Sequence, residues 1–138
     1  MTINEIVRKY NIKLCEFSPE LWDRAGFYYP PLHTVYVNSS LSETEKKKVI
    51  YHELGHLEHD ASQYDRRREL FEIQANRKMI HSLLEEELSK CDEEEIKEFN
   101  YVRFVEKYGL ITAVDEELVK EEFLKLISWK NVQRTESH

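Results

Sequence analysis

The sequence predicts an α+β fold, in which a small, mostly antiparallel three-stranded sheet packs with several helices and the C-terminal part is all helical. Two observations support this. Short runs rich in β-branched and aromatic residues alternate with period 2 before residue 40, and apolar residues recur at helical spacing from about residue 43 to residue 129. A chain of 138 residues is most simply one domain, able to bury about two-thirds of the surface that its unfolded form exposes. The predicted parts of this domain are a helix and small sheet at 1–40, two helices at 41–88 and a helical pair at 92–130.

The first forty residues contain all three predicted strands. A capping box at residues 2–5 begins a helix, and Pro30-Pro31 forces a turn between two strands. Ser18-Pro19 is expected to open a short turn of helix that ends before Gly26. The predicted elements are, in order, a helix at 3–10, a strand at 13–17, the short helical turn, and strands at 27–29 and 34–37.

Four helices are predicted after the sheet. Ser40 or Ser42 is expected to cap the first, with Glu43 or Glu45 three residues on. The other three are expected at about 69–84, at 93–107 after Asp92 and before Gly109, and from Asp115 to about 129. The last two carry amphipathic apolar stripes, which predict a packed helical core in this part of the chain.

The most informative motif is His52-Glu53-Leu54-Gly55-His56, an H-E-x-x-H sequence in the first of these helices. At about 100° per residue its histidines differ by roughly 40° around a helix and by about 6 Å along it, so both imidazoles can reach one metal ion. Leu54 and Leu57 lie on a different side of the helix, so the histidines are free to line a cleft. Glu53 lies beside the open coordination position, where a general base is needed. The motif predicts the catalytic zinc site of a metallopeptidase.

A catalytic zinc requires a third protein ligand from elsewhere in the chain. On the wheel of the helix at 69–84, Glu72 lies opposite the polar side and shares its own side with Ala75 and Asn76. A carboxylate aimed inward is costly unless it is paired or bound to a metal, so Glu72 is the predicted third ligand. The alternative is a glutamate paired with an arginine of the cluster at 66–68.

His59 lies on the same face as the first two histidines and must also be considered. On a continuous helix it lies about 7 Å along the axis from their midpoint, too far for a metal bond of about 2 Å. We therefore expect a solvated histidine or one that contacts a ligand, unless the helix unwinds before Asp60.

Three segments together carry a resemblance to a known family. The segment at 35–42 (V-Y-V-N-S-S-L-S), the H-E-L-G-H helix and the later E-I-Q-A-N at 72–76 resemble the ImmA/IrrE family of small zinc metallopeptidases, over residues 33–84. The resemblance implies that Glu72 is the third metal ligand. It also implies that Asn76 lies next to the metal ligands or has a structural role.

The resemblance implies a function as well. Members of this family come largely from phages, integrative elements and bacterial chromosomes, and cleave a partner transcriptional repressor at a specific site, which derepresses target genes. Some longer relatives carry a helix-turn-helix domain before the peptidase part. Only about forty residues precede the motif helix here, so we expect the chain to act on transcription through the protein it cleaves, without reading DNA itself.

Composition agrees with these expectations. The formal net charge of −7 disfavours nonspecific binding to DNA or to an anionic membrane, since phosphate contacts need clustered lysine and arginine. Two cysteines are too few for a disulfide scaffold, and neither a leader sequence nor an apolar run of membrane-spanning length is evident. A reduced, cytoplasmic protein is the prediction.

The expected cofactor is one Zn²⁺ ion, although manganese or iron would also suit two histidines and a carboxylate. The metal would lower the pKa of water to about 7, and Glu53 would take the proton. Tyr51, Tyr64 or His59 is a candidate donor to the oxyanion. The strand at 35–38, with Tyr36, is the candidate sheet edge on which a substrate lies extended.

Two alternatives from other classes remain open. One is an antirepressor that binds the repressor without cutting it and keeps a structural or vestigial metal site. Glu53 argues against this alternative, because a structural zinc has four protein ligands and no use for a base. The other is a metal-dependent hydrolase of a small molecule, which a closed apolar pocket around the metal would favour.

Overall fold

The computed structural model describes residues 2–57, 59, 64–110 and 112–136, and at 64, 65, 113 and 129–136 it describes the backbone alone. These residues form a small sheet and mostly helical structure, which confirms the predicted α+β class and the helical C-terminal part. The elements are, in order, α1 (Ile3–Tyr10), β1 (Lys13–Phe17), β2 (Gly26–Tyr29), a short 3₁₀ helix (Pro30–Leu32), β3 (Thr34–Asn38), α2 (Glu43–Leu54), α3 (Tyr64–Ser89), α4 (Glu93–Lys97), α5 (Tyr101–Tyr108) and α6 (Ala113–Glu136). They fall into two compact units, 1–79 and 80–138.

The sheet of the first unit is mixed, with the strand order β1-β3-β2. β2 pairs antiparallel with β3 in the register Tyr28↔Val35, whereas β1 pairs parallel with β3 in the register Leu14↔Val35. The prediction of a mostly antiparallel sheet is therefore corrected at β1. Alternation of apolar residues identifies a strand, but it does not determine the direction of the neighbouring strand.

The two faces of the sheet bury different residues. Val35 packs with Ile12 and with Leu54 of α2, so this face of β3 covers the motif helix. On the opposite face Phe27 contacts Trp22 and stacks on Tyr36, with ring centroids 5.0 Å apart in each pair. Because side chains alternate along a strand, Tyr36 points away from α2.

The segment between β1 and β2 is not helical, contrary to the prediction. The carbonyl and hydroxyl oxygens of Ser18 accept hydrogen bonds from the backbone N–H groups of Leu21 and Glu20, at 3.0 and 3.2 Å, which closes a single turn. The Asn38 side chain then donates to the carbonyl of Arg24 at 3.1 Å. This bond ties the extended end of the segment to β3, so the backbone continues into β2.

The motif helix begins at the predicted cap and ends inside the motif. Ser42 is the N-cap, and its side chain accepts a hydrogen bond from the Glu45 N–H at 3.2 Å. After Leu54 the chain tightens into 3₁₀-type bonds, such as His56 N–H to the Glu53 carbonyl at 3.1 Å. α3 is longer than predicted at both ends and departs from helical geometry at Arg67.

The second unit contains the end of α3 and the helices that follow. The single helix predicted at 93–107 is two helices, because the Asn100 side chain accepts hydrogen bonds from the N–H groups of Val102 and Arg103 and so caps α5. The buried apolar side chains of its core include Ile80, Leu83, Leu84, Leu88, Phe104, Tyr108, Val119 and Phe123. Within the described part of the chain, every helix is too short or too polar to cross a membrane.

Candidate metal centre

The end of α2 and the middle of α3 approach each other closely at Gly55 and Ala75. A Cβ atom on Gly55 would lie 3.0 Å from both the Cα and the carbonyl oxygen of Ala75. Ala75 itself is completely buried. Small residues at both positions therefore allow the two backbones to touch, and this contact brings Glu72, one turn before Ala75, to the motif histidines.

Three predicted ligands meet at this point. His52 Nε2 lies 3.1 Å from Glu72 Oε2, and His56 Nε2 lies 3.2 Å from Glu72 Oε1. The two Nε2 atoms are 3.3 Å apart. Among the described residues, His52, His56 and Glu72 form the group whose ligand atoms all lie within 4.8 Å of one another and could hold a metal ion.

Glu72 is less buried than the wheel suggested, since its side chain is 38 % exposed, compared with 22 % for His52 and 13 % for His56. The three ligands thus form a site that is closed on the histidine side and open on the carboxylate side. Such a site leaves room for a further ligand from solvent or substrate.

The other ring nitrogen of His52 is held by α3. His52 Nδ1 lies 2.8 Å from Asn76 Oδ1. A side-chain carbonyl oxygen can only accept a hydrogen bond, so Nδ1 carries the proton and Nε2 presents its lone pair. Asn76, one turn after Glu72, therefore contacts a candidate ligand and fixes its orientation.

His59 performs the corresponding contact for His56. Their Nδ1 atoms are 3.0 Å apart, and His59 Nε2 lies 2.9 Å from Gln74 Oε1. The His59 ring also stacks on Phe71, with centroids 4.2 Å apart and planes 9° from parallel. Residues three apart are neighbours on a helical turn, so this contact agrees with the expectation that His59 contacts a ligand.

Glu53 lies beside the three ligands at the edge of the sheet. Burial raises the pKa of its carboxyl, and the Glu72 carboxylate adds to this effect. His52, Arg24 and a hydrogen bond from the backbone N–H of Tyr28 act in the opposite direction on this pKa. The base candidate is thus in contact with β2 and within the electrostatic reach of a cationic side chain.

The donor set fits a divalent metal. One type of catalytic zinc site has two imidazole nitrogens and a carboxylate oxygen as its protein ligands, and a water molecule takes the remaining position. Burial and the neighbouring His52 lower the pKa of His56, against the opposing effect of Glu72, which favours the neutral imidazole that a metal requires. A shared cation would stabilise the two Nε2 atoms and the Glu72 carboxylate, because all three groups can supply an electron pair to it.

The structure does not bring all predicted residues to this site. Tyr36 lies on the opposite face of the sheet, and Tyr51 is 2 % exposed in the core, so neither can contact a substrate at the ligands. The strand predicted as a free edge, β3, is the central strand and is paired on both sides, so that prediction is wrong. The Tyr64 side chain lies outside the described part of the chain.

Other contacts at the site were not predicted from the sequence. Arg24 and the backbone of Tyr28 belong to segments with no local motif, and Gln74 lies within E-I-Q-A-N at a position to which no role was assigned. The sequence motif gives the spacing of the candidate ligands. Which other residues contact those ligands depends on how α2 packs on β2 and α3.

The fold and the site define a metallopeptidase-like class of protein. Two histidines and a glutamate are placed to hold a metal ion, a second glutamate lies in the motif, and the motif helix packs against a small sheet. The chain belongs to the Peptidase_M78 family, described as the IrrE N-terminal-like domain, which it matches over residues 7–117. This match confirms the resemblance to the ImmA/IrrE family. Neither a curated protein nor a solved structure matches the chain significantly.

Proposed function

We propose that this protein is a zinc-dependent endopeptidase that cleaves a partner helix-turn-helix repressor at a specific site and so derepresses phage or mobile-element genes. The observation that supports the chemistry is the convergence of His52, His56 and Glu72 within 4.8 Å, with Glu53 beside them. When bound there, a zinc ion supplies Lewis-acid chemistry, which lowers the pKa of water and polarises a carbonyl oxygen.

Glu53 is the proton carrier in this proposal. Its carboxylate accepts the proton of the attacking water and returns it to the nitrogen of the leaving amine. Burial and the nearby Glu72 raise its pKa, which makes the carboxylate a better base than an ordinary surface glutamate. The Tyr28 N–H holds the carboxylate at the edge of β2, where the peptide must arrive.

The substrate would lie extended along β2. Asn38 N–H donates to the carbonyl of Ala25 at 2.8 Å, so this pair is hydrogen bonded across the two strands. Such pairs alternate in an antiparallel ladder, so the backbone groups of Gly26 and Tyr28 point away from β3. Gly26 is buried and the Tyr28 N–H donates to Glu53, which leaves the carbonyl of Tyr28 for a peptide. A peptide added at this edge would pass directly beside Glu53 and gain affinity from backbone hydrogen bonds.

The repressor as substrate is supported by family membership, since this family contains IrrE-type regulators. A net charge of −7 also favours a protein partner over direct binding to nucleic acid. With these properties, the protein would act in the cytoplasm on a DNA-bound regulator.

The test is to co-express the protein with a candidate helix-turn-helix repressor from the same genome and to measure the mass of the repressor. We expect one discrete cut with the wild type and none with Glu53→Gln. Glu43→Gln, on the same helix with a side chain 93 % exposed, is the matched control and should cut normally.

Two results would contradict the proposal. If the repressor stays intact but is captured equally by wild type and Glu53→Gln, the protein is a binding antirepressor whose metal site is structural or vestigial. If Glu53→Gln cuts as efficiently as the wild type, Glu53 is not the base.

A further inference from the structure

We propose that Gln74 sets the tautomer of the candidate ligand His56 through His59, in a two-step hydrogen-bond relay that places the lone pair of His56 on Nε2, the atom that would bind a metal. This inference rests on the proposed metal site and names a positioning role for Gln74 and His59. Neither residue contacts the metal position, so both act through His56.

The two candidate ligands differ in how their protons are fixed. For His52 the partner of Nδ1 is the carbonyl oxygen of Asn76, at 2.8 Å, which can only accept. For His56 the partner is another imidazole nitrogen, His59 Nδ1, at 3.0 Å. A neutral imidazole nitrogen can donate or accept, so this contact alone leaves two arrangements of the proton.

Gln74 removes that ambiguity. Its Oε1 lies 2.9 Å from His59 Nε2, and a carbonyl oxygen accepts, so His59 carries its proton on Nε2. A neutral imidazole has one N–H, which makes His59 Nδ1 the acceptor. His56 Nδ1 then donates to it, and the lone pair of His56 is left on Nε2, the atom that faces Glu72 Oε1 at 3.2 Å.

Phe71 holds the His59 ring in one orientation. The His59 ring lies parallel to the Phe71 ring at 4.2 Å, and Phe71 is buried, so the imidazole cannot rotate freely about its axis. Phe71, Gln74 and the metal ligand Glu72 all belong to α3. The helix that supplies the carboxylate ligand therefore also orients the histidine ligand opposite it.

The first test is the tautomer state of the metal-free protein, measured by long-range ¹⁵N–¹H correlation NMR at a pH well above the usual histidine pKa of about 6.5. The relay predicts protons on Nδ1 of His52 and His56 and on Nε2 of His59. A proton on Nδ1 of His59, or on Nε2 of His56, would overturn the relay.

The second test is Zn²⁺ affinity, measured by competition with a chromophoric chelator. Gln74→Leu removes the acceptor from an exposed position and should weaken binding about tenfold, the lower end for loss of a contact to a ligand. Ile73→Leu, at an exposed neighbouring position of the same helix, is the matched control and should retain the affinity of the wild type.

The outcomes separate the relay from the metal site itself. If the wild type and Gln74→Leu bind Zn²⁺ equally and show the same tautomers, the relay is wrong and the metal site stands. If the wild type binds no Zn²⁺, the proposed function fails, while the NMR measurement on the metal-free protein still decides the relay.

Discussion

Both units of this molecule bring carboxylates together with other polar groups from distant positions in the chain, but they satisfy them differently. In the second unit, Glu87 Oε1 accepts hydrogen bonds from Lys107 Nζ at 2.6 Å and from Tyr108 Oη at 3.0 Å. In the first unit, the Glu72 oxygens face the Nε2 atoms of His52 and His56. The first carboxylate meets donors, whereas the second meets nitrogens that are acceptors in the tautomers proposed above.

The difference separates a structural contact from a binding site. Donors around Glu87 complete its hydrogen bonds and tie α3 to α5. At the candidate metal centre, Asn76 and His59 contact the Nδ1 atoms of the histidines, so a bound cation would stabilise the remaining nitrogens and the carboxylate together. Charged residues are present in both places. What indicates a binding site is the direction of the hydrogen bonds around each carboxylate.

The largest expected effect is on catalysis. Glu53→Gln should lower the cleavage rate by about 10²- to 10⁴-fold, because an amide cannot take the proton from water. Zn²⁺ affinity should change little, since Glu53 is not among the three ligands. Rates of repressor cleavage and chelator competition on the same preparation would check both expectations. A variant that loses metal together with activity would place Glu53 among the ligands.

The next effect compares the two carboxylates directly. Glu72→Gln should weaken Zn²⁺ binding by more than about 100-fold, beyond the range for residues that only hydrogen-bond to a ligand. Glu87→Gln should leave Zn²⁺ affinity unchanged, because it lies in the other unit. Calorimetric titration of both variants measures the contrast, and equal affinities would refute the assignment of Glu72 as a ligand.

Asn76 should have a smaller effect. Asn76→Ala removes the acceptor for His52 Nδ1 at 2.8 Å and is expected to weaken Zn²⁺ binding about 10- to 100-fold. Asn76→Asp keeps an acceptor and should retain most of the affinity. If both variants bind like the wild type, Asn76 does not orient His52.

Gly55→Ala should disturb the site through the backbone. The added Cβ would lie 3.0 Å from Ala75, so α2 and α3 must separate slightly, at a cost of about 1–3 kcal/mol in the free energy of unfolding. We expect weaker Zn²⁺ binding in parallel, since Glu72 moves with α3. Urea unfolding and metal titration of the variant check this. Unchanged values in both would mean that the contact does not position the ligand.

The smallest effect is a pH dependence in the second unit. Burial opposes ionisation of Glu87, but the hydrogen bonds from Lys107 and Tyr108 outweigh it and lower its pKa. A pKa that is lower in the folded state contributes stability above the unfolded value, and this contribution is lost as the pH falls through the folded value. Glu87→Gln should therefore destabilise the protein by about 1 kcal/mol at neutral pH and by less in acid.

Urea unfolding from neutral to acidic pH measures the difference in the free energy of unfolding between wild type and Glu87→Gln. Glu106→Gln, at an exposed position of α5, is the matched control and should show no such trend. A difference that stays constant with pH would show that the contact with Lys107 and Tyr108 is not specific to the ionised carboxylate.

Much of the fold and of the site could be predicted from local patterns. The bounds of α1 and β1, the cap at Ser42 and the spacing of His52, His56 and Glu72 all follow from signals within a few turns of chain. The parallel pairing of β1, by contrast, depends on contacts between distant segments. Asn100 is a local N-cap signal for α5, but the apolar residues on both sides of it continue one helical periodicity, which led to the prediction of a single helix.

The contact of His59 with His56 lies within the expectation of a histidine that contacts a ligand, but its partner Gln74 could not be predicted. Gln74 carries no signal in the sequence, because an exposed glutamine on a helix is ordinary. Both residues acquire a role only where α3 lies beside the last turn of the motif.

The most direct test of the metal centre is X-ray absorption spectroscopy on the protein loaded with one equivalent of Zn²⁺, with Glu72→Gln as the comparison. We predict one tightly bound ion with two imidazole nitrogens and the remaining ligands oxygen, and a clear loss of affinity in the variant. A spectrum with sulfur ligands, with a third imidazole or with no stoichiometric zinc would contradict a catalytic site built from His52, His56 and Glu72.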